Sequence, residues 1–581
     1  MSAAQATLRD QLVRKFEEAA RKDDEAAVER LFKLFPQIGR ADEGVDLLAR
    51  YLANKSEGAI RRACTVPDPT SDAAVFADAF TRLLEAGGRN VDRARLLAAS
   101  SAPGRLPRAL ALIQPVICAG GRRVYHELVA ARLSNARRSA LHAEPVLAEL
   151  ALAHSTIHLY FTFVRRRAEA DASTVDEETK KSCFVATEKI IAECDLTRTA
   201  QDLLGHYLAL ERFFLEESVS KALKMAAPQV GATSSSLVDD VFFIARKVIR
   251  RSISTGSVDG ACAVLNEVSA LLERDAAAAL RRWLRAPPPS PLPLPLPHPR
   301  PAPGPGVAPD AARHREVDAQ AHLYVAHLNE AESGAEWSMR LATEACTLAE
   351  PLLSTGGRDK LVSCAESLAT AAAAFKAARD LGLEGITAAL KHKVTKWADA
   401  VADPDGDSME DDADALPSAL DTLAEASKAQ LSAAAANQLL TTIVQDLATR
   451  AEERLLVHHY DQDAATDAGE YDEKNAYKDV IDYCVLALVC RIIRSSRILV
   501  LDTALDSKAQ LSAANVLLTT TYSARLGYES RGAVAVLDTA LDSKAQLSAA
   551  NVPLTTIVQD LATRAEERLL VHHYDQITYI T

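Results

Sequence analysis

From about Leu8 to Leu284 the apolar residues return every three to four positions, and that period confines the chain to amphipathic helices packed against one another. In "VDDVFFIARKVIRRSI" the side chains of Val238, Val241, Phe242, Ala245, Val248, Ile249 and Ile253 fall on one helical face. Arg246, Lys247, Arg250 and Arg251 fall largely on the other. Ser236 stands three residues before Asp239, a spacing that predicts a hydroxyl cap with carboxylates at the positive helix end. Hydrophobic residues are 48% of the 581 positions but aromatics only 5%, and Ala and Leu fill most of the difference, which favours helix over strand. Turn clusters such as "VPDPTSD", "SAPGRLP" and "STGS" cut the run into helices of ordinary length. The expected fold is all-α, an elongated stack of helical bundles forming a helical rod, with a disordered proline-rich insertion.

That insertion is "PPPSPLPLPLPHPRPAPGPG", Pro287 to Gly306, where missing amide donors and a fixed φ forbid helix and favour extended polyproline structure. A docking site for a proline-binding module and a plain spacer both fit this composition, and the spacer is the commoner fate. Helical periodicity resumes near Val317 and runs to Val401, where it meets the acidic "DPDGDSMEDDAD". The alternating carboxylates imitate a calcium loop beginning at Asp403. Its sixth position is Ser408 where the sharp turn needs Gly, and its twelfth is Asp414 where a bidentate Glu belongs, so a solvated acidic linker is expected. The divisions are therefore an N-terminal helical-rod region over 1–286, a proline-rich linker over 287–316 and a middle helical domain over 317–402. An acidic linker over 403–418, a C-terminal helical hairpin over 419–462 and a partly duplicated region over 463–581 follow.

The duplication is visible as words. Ser427 to Gln462 reads "SKAQLSAAAANQLLTTIVQDLATRAEERLLVHHYDQ"; a near copy occupies Ser543 to Gln576 and a truncated one starts at Ser507. A solenoid would keep a constant period, because each unit stacks on the last in the same way, and these starts are unevenly spaced. Thr555 to Gln576 repeats the first copy without a change, whereas packing demands only an apolar pattern. Such fidelity reports recent copying. The first copy predicts a stripe of Ile443, Leu447, Ala451 and Leu455 with Asp446 paired to Arg450, and the last copy places Pro553 where the others have Leu439 and Leu517.

Catalytic patterns are missing. The chain contains no GxxxxGK[ST], GxSxG or GxGxxG. His154 and His158 are four apart but "HSTIH" lacks the Glu that a zinc peptidase uses as base, so they are expected on a helix surface; the adjacent His458 and His459 point about 100° apart. Nine cysteines, Cys64, Cys118, Cys183, Cys194, Cys262, Cys346, Cys364, Cys484 and Cys490, show no CxxC spacing and are expected as reduced, mostly buried thiols. A net charge of −13 argues against a general nucleic-acid binder, although basic clusters occur at Arg122 and Arg123, Arg137 and Arg138, Arg165 to Arg167, Arg250 and Arg251, and Arg281 and Arg282. Such faces suit acidic headgroups or an acidic partner, although a solvated helix face is the commoner explanation. The N-terminus is charged from Arg9 onward without an apolar signal core, and no uninterrupted apolar run reaches the length of a membrane span. No catalytic, cofactor-binding or metal residue is assigned, and a non-enzymatic interaction scaffold is the reading that remains.

Several segments in one order resemble the family of subunit four of the conserved oligomeric Golgi complex. They are "VERLFKLFPQIGRADEGVDLLARYL" from Val28, "AAVFADAFTRLLE" from Ala73, "APGRLPRALALIQ" from Ala102 and "ELALAHSTIHLYFTFVRRR" from Glu149. "DLLGHYLALERFFLEESVSKAL" from Asp202 follows, then the strongest, "SSLVDDVFFIARKVIRRSISTGSVDGACAVLNE", Ser235 to Glu267, and after the proline tract "YVAHLNEAE" onward to about Val401. The resemblance implies a helical-rod subunit peripheral on the cytosolic face of the Golgi membrane, acting in intra-Golgi retrograde vesicle transport and Golgi organisation. It implies as partners the other subunits of the tethering complex, syntaxin-type SNAREs and SM-type regulators, with no cofactor and no nucleic acid. It begins at the family's middle, so the N-terminal coiled-coil arm of such subunits is expected to be missing, and the family's C-terminal ion-paired Arg and Glu find no counterpart to align. A generic α-helical repeat adaptor for cytosolic partners is the alternative.

Overall fold

The computed structural model describes residues 3–66, 68, 73–99, 102–226, 233–288, 308–351, 353–402 and 410–465, and among them the regular structure is entirely helical. Along the chain run α1 (Ala3–Arg21), α2 (Glu25–Phe32), α3 (Ala41–Ala63), α4 (Val75–Ala98), α5 (Leu106–Leu128), α6 (Ala140–Asp171), α7 (Glu177–Glu193), α8 (Asp195–Met225), α9 (Leu237–Ser254) and α10 (Val258–Leu271). Then come α11 (Ala278–Leu284), α12 (Ala308–Ala349), α13 (Thr355–Ala365), α14 (Ser367–Ala402), α15 (Glu410–Gln430) and α16 (Ala433–Ala465). Wider π turns occupy Val129–Leu133 and Leu272–Ala277. The all-α expectation holds. Helix α12 begins inside the expected 287–316 linker, and α15 begins inside the acidic 403–418 segment. Most of the proline tract and the copies from Ser507 and Ser543, with Pro553, Cys484 and Cys490, lie outside the described residues.

Two compact units result. The first takes Met1–Ala227, Ser235–Leu280 and Ser333–Ala378; the second takes Pro228–Ser234, Arg281–Glu332 and Arg379–Thr581.

In the first unit α3, α4 and α5 pack closely because glycines thin their contact faces. A Cβ on Gly120 would lie 2.8 Å from Leu83 Cδ1 and 3.1 Å from Cys64 Sγ, so only glycine allows this approach. Helix α6 then closes the free ends of two neighbours. Glu149 Oε1 accepts the Phe76 amide at the start of α4, at 2.8 Å, and Asp171 Oδ2 accepts the Leu106 amide at the start of α5, at 2.9 Å. Both amides belong to the unpaired first turn of a helix, where the backbone dipole favours a carboxylate. Arg132 Nε, in the first π turn, reaches the other oxygen of Glu149 at 2.9 Å. Burial nonetheless pushes both carboxyls above their ordinary range, with the amide bonds working against it. Two long-range caps thus fix the height of α6 against α4 and α5.

The second unit is organised around Tyr324 and Asn329 of α12. The Tyr324 hydroxyl donates to the carbonyls of Leu284 and Gly382, at 3.0 Å each, and Trp283 stacks on His327 with centroids 4.5 Å apart. Asn329 Nδ2 donates to Gln430 O at 2.7 Å and its oxygen accepts the Ser432 amide at 3.3 Å, so one side chain holds the corner of the α15–α16 hairpin. Ser432 Oγ caps α16 by accepting the Ala435 amide. Ile443 and Leu447 are buried as the sequence predicts. Arg450 instead donates to Thr395 Oγ1 at 3.0 Å; the hydroxyl of a packed neighbour is closer to hand than Asp446 on its own helix.

One stretch qualifies the expectation that no span exists. Gly356–Ala398 contains an 18-residue window of mean hydropathy 1.2, long and apolar enough by composition to cross a membrane, and 39% of that window is buried. Its alanine-rich part packs inward through Ala371, Ala372 and Phe375, as a core helix does.

Candidate interaction surface

Helix α9 carries the sequence signature singled out above, and its inner face is as expected: Val238, Val241, Phe242, Ala245, Val248, Ile249 and Ile253 are all buried. Phe242 sits between Trp337 and Phe375, with ring centroids 6.1 and 6.2 Å away. The start of the helix differs from the predicted cap. Ser235 Oγ accepts the Leu237 amide at 3.1 Å, while Ser236 donates its hydroxyl to Asp240 at 2.9 Å. Ser236 already has helical backbone angles, which turn its side chain away from the free amides. The helix ends on Gly256 at φ +76, where a Cβ would meet the His158 ring at 3.0 Å. Glycine serves both the left-handed turn and the tight contact.

His154 and His158 part company here. His154 is buried and its Nδ1–H donates to the Thr255 carbonyl at 2.8 Å, which ties α6 to the end of α9. The expected surface position fits His158, which is exposed, and not His154. Desolvation lowers the pKa of His154 and holds it neutral. His458 and His459 lie within α16, with side chains outside the described residues.

Between the outer faces of α6 and α9 runs an open groove of about 730 Å³. Ala148, Leu152 and Ser155 form its α6 wall; Phe243, Arg246, Lys247 and Arg250 form the α9 wall. Phe243 is 65% exposed and Leu152 48%, so the floor is apolar and reachable. Above it the cations are held by acids. Lys247 pairs with Glu144, while Arg246 Nε and Arg250 Nη2 take the two oxygens of Glu344 at 2.8 Å each. The Arg246 guanidinium also lies 5.6 Å from the Trp337 ring centroid. The groove therefore presents an apolar strip beneath a cationic rim.

The other basic clusters mostly pair locally. Arg122 meets Asp195, Arg123 meets Glu127 at 3.1 Å, Arg165 meets Glu188 at 2.7 Å, and Arg167 reaches Asp92 at 3.1 Å. Arg137, Arg138, Arg281 and Arg282 are exposed. Arg251 departs from the sequence reading, because it turns inward to Glu211. Two cysteine pairs were invisible to spacing: Cys118 and Cys194 come together across 76 positions, with Gln114 Nε2 at 3.7 and 3.9 Å from the two sulfurs, and Cys262 lies near Cys364. Burial pushes the Cys262 thiol up to about 12.

Residues 122–284 match the family described as COG4 transport protein, middle alpha-helical bundle. Both walls of the groove fall inside that span. Conserved oligomeric Golgi complex subunit 4 of Drosophila melanogaster is 28% identical over 441 residues, covering 66% of this chain and 56% of the relative. The proteins of the same description from Mus musculus and Homo sapiens are each 30% identical over 312 residues, covering 49% of this chain and 40% of the relative. The chain spans about half the length of the curated relatives it matches.

Proposed function

From the similarity of this chain to conserved oligomeric Golgi complex subunit 4, we propose that it belongs to that family and is a non-enzymatic subunit of that Golgi vesicle-tethering complex. It acts in intra-Golgi retrograde transport and Golgi organisation from the cytosolic face of the membrane, by scaffolding other subunits and SNARE machinery with SM-type regulators. The observation that carries this reading is the coincidence of the matched middle bundle with a helical unit whose outer face bears an open groove. Stiff, well-packed helices hold exposed faces at fixed separations, and that is what a tether requires.

The test is co-purification of the tagged full chain with the other subunits of the complex, and recovery of Golgi glycosylation on its re-expression in cells depleted of the subunit. A chain that purifies alone and restores nothing overturns the reading. Partners bound without any complex subunit favour the generic helical adaptor.

A further inference from the structure

We infer that the groove between α6 and α9 seats an amphipathic α-helix of a partner protein, one presenting a leucine row flanked by acidic side chains. This rests on the scaffold reading above and names what one of its surfaces receives. Along α6 the outward positions Leu141, Pro145, Ala148, Leu152, Ser155 and Leu159 step by four and three in alternation, which is the spacing by which one helix receives another. Leu141, Leu152 and Leu159 are 79%, 48% and 63% exposed. A single exposed leucine is ordinary, but three on one helix face, with Leu152 sharing the groove with Phe243, extend the apolar strip along α6 beyond the groove. At 1.5 Å per residue the row is about 27 Å long, or five turns. Ala148 and Ser155 alternate with the leucines as shallow positions that admit a partner's larger side chains.

Charge selects among helices. Lys247 is held by Glu144 and Arg251 by Glu211, but Arg246 and Arg250 share the single carboxylate of Glu344. Four cations face three carboxylates, and the excess positive charge sits on the rim, where Arg250 is 57% exposed. A helix entering over Phe243 brings its flank against that rim, so acidic flanks gain attraction and basic flanks meet repulsion. One surplus charge is too little for a phosphate-backbone surface, and the apolar row asks for a folded side-chain stripe.

The probe is a fluorescein-labelled helical peptide of roughly three heptads with Leu at the seam and Glu on the flanks, titrated against the full chain by fluorescence anisotropy. Two comparison peptides keep the leucines with Lys flanks, or keep the Glu flanks with Ser at the seam. The Leu/Glu peptide should bind at least about tenfold tighter than either. Leu152→Asp and Phe243→Ser should each weaken it about tenfold, and Arg250→Glu should reverse the preference between Glu and Lys flanks. All three side chains are exposed, so an unchanged urea midpoint shows that folding is intact. No preference among the peptides, or binding indifferent to all three substitutions, overturns the inference. So does self-association abolished by Leu152→Asp in sedimentation, or vesicle flotation abolished by Arg250→Glu, since a second copy or a lipid surface is then the occupant. Co-purification with the complex but no peptide binding removes the groove's assignment and leaves the tethering reading; peptide binding by a chain that purifies alone removes the tethering reading.

Discussion

Arg251 of α9 and Glu211 of α8 face each other inside the bundle, their side chains 10% and 2% exposed, with Nε bonded to Oε2 at 2.9 Å and Nη2 to Oε1 in a parallel fork. The guanidinium also lies 5.0 Å from the Phe214 ring centroid. Burial pushes the Glu211 carboxyl up while the Arg251 charge opposes it. A pair so placed has lost its water, so removing one member leaves the other charge buried without compensation. Glu211→Ala or Arg251→Ala should each cost about 3–5 kcal/mol in urea unfolding, whereas the double replacement Glu211→Leu with Arg251→Met should be neutral or stabilising by about 1–4 kcal/mol. A double replacement as harmful as the single ones would show that the fork also sets the register between α8 and α9.

Two glycines of the first unit have opposite reasons to exist. Gly120 sits where α5 crosses its neighbours, and any Cβ collides with Leu83. Gly120→Ala should therefore destabilise by about 1–3 kcal/mol despite the better helix propensity of alanine. Gly205 lies in the middle of α8 on an exposed face, with nothing within 4 Å of a built Cβ. There Gly205→Ala should raise stability by about 0.5–1 kcal/mol. Thermal unfolding of both variants reads the two signs side by side.

Cys194 stands beside the Cys118 thiol and 3.5 Å from Thr197 Oγ1, and these neighbours lower its pKa against the effect of burial. The same contact raises Cys118, which keeps its proton. Alkylation by iodoacetamide, followed by mass spectrometry, should show Cys194 as the fastest thiol at pH 7, with a rate that reaches half its plateau at a pH below the ordinary cysteine range. Cys118→Ala removes a donor to the thiolate, so the half-point should move upward. A thiol that labels only above the ordinary cysteine range would contradict the pairing.

What could be read from the sequence follows from how far each signal reaches. The buried face of α9 was legible because seven apolar positions share one period within 18 residues. The inward turn of Arg251 was not, since its partner stands 40 positions away and the period alone puts it at the polar border. The α6 seam was present as spacing. It was hidden because α6 is apolar around most of its circumference, with Ala143, Val146, Leu147, Leu150 and Ile157 buried beside the exposed row. Periodicity marks a face only when the opposite face is polar. Likewise His154 resembles a surface histidine until the Thr255 carbonyl, 101 positions on, supplies its acceptor.

That histidine gives the stability a pH dependence whose sign can be worked out. His154 is neutral in the folded chain because burial disfavours its charge, and its pKa is therefore lowered; in the unfolded chain it titrates near the ordinary value of about 6.5. Below that value the unfolded state binds a proton that the folded state refuses, so stability is lost as pH falls through and below the unfolded pKa, and is fully retained above it. Protonation of the folded ring at Nε2 leaves the Nδ1–H bond to Thr255 intact, so the penalty is one of desolvation and not of a broken bond. Urea midpoints measured at pH 7.5 and 5.5 should differ more for the unaltered chain than for His154→Gln, in which the carboxamide keeps a donor but cannot ionise. Because the carboxylates titrate in both chains, the comparison between them isolates the imidazole. Equal differences in the two chains would mean that His154 charges freely in place, and that the junction of α6 with the end of α9 is open to water.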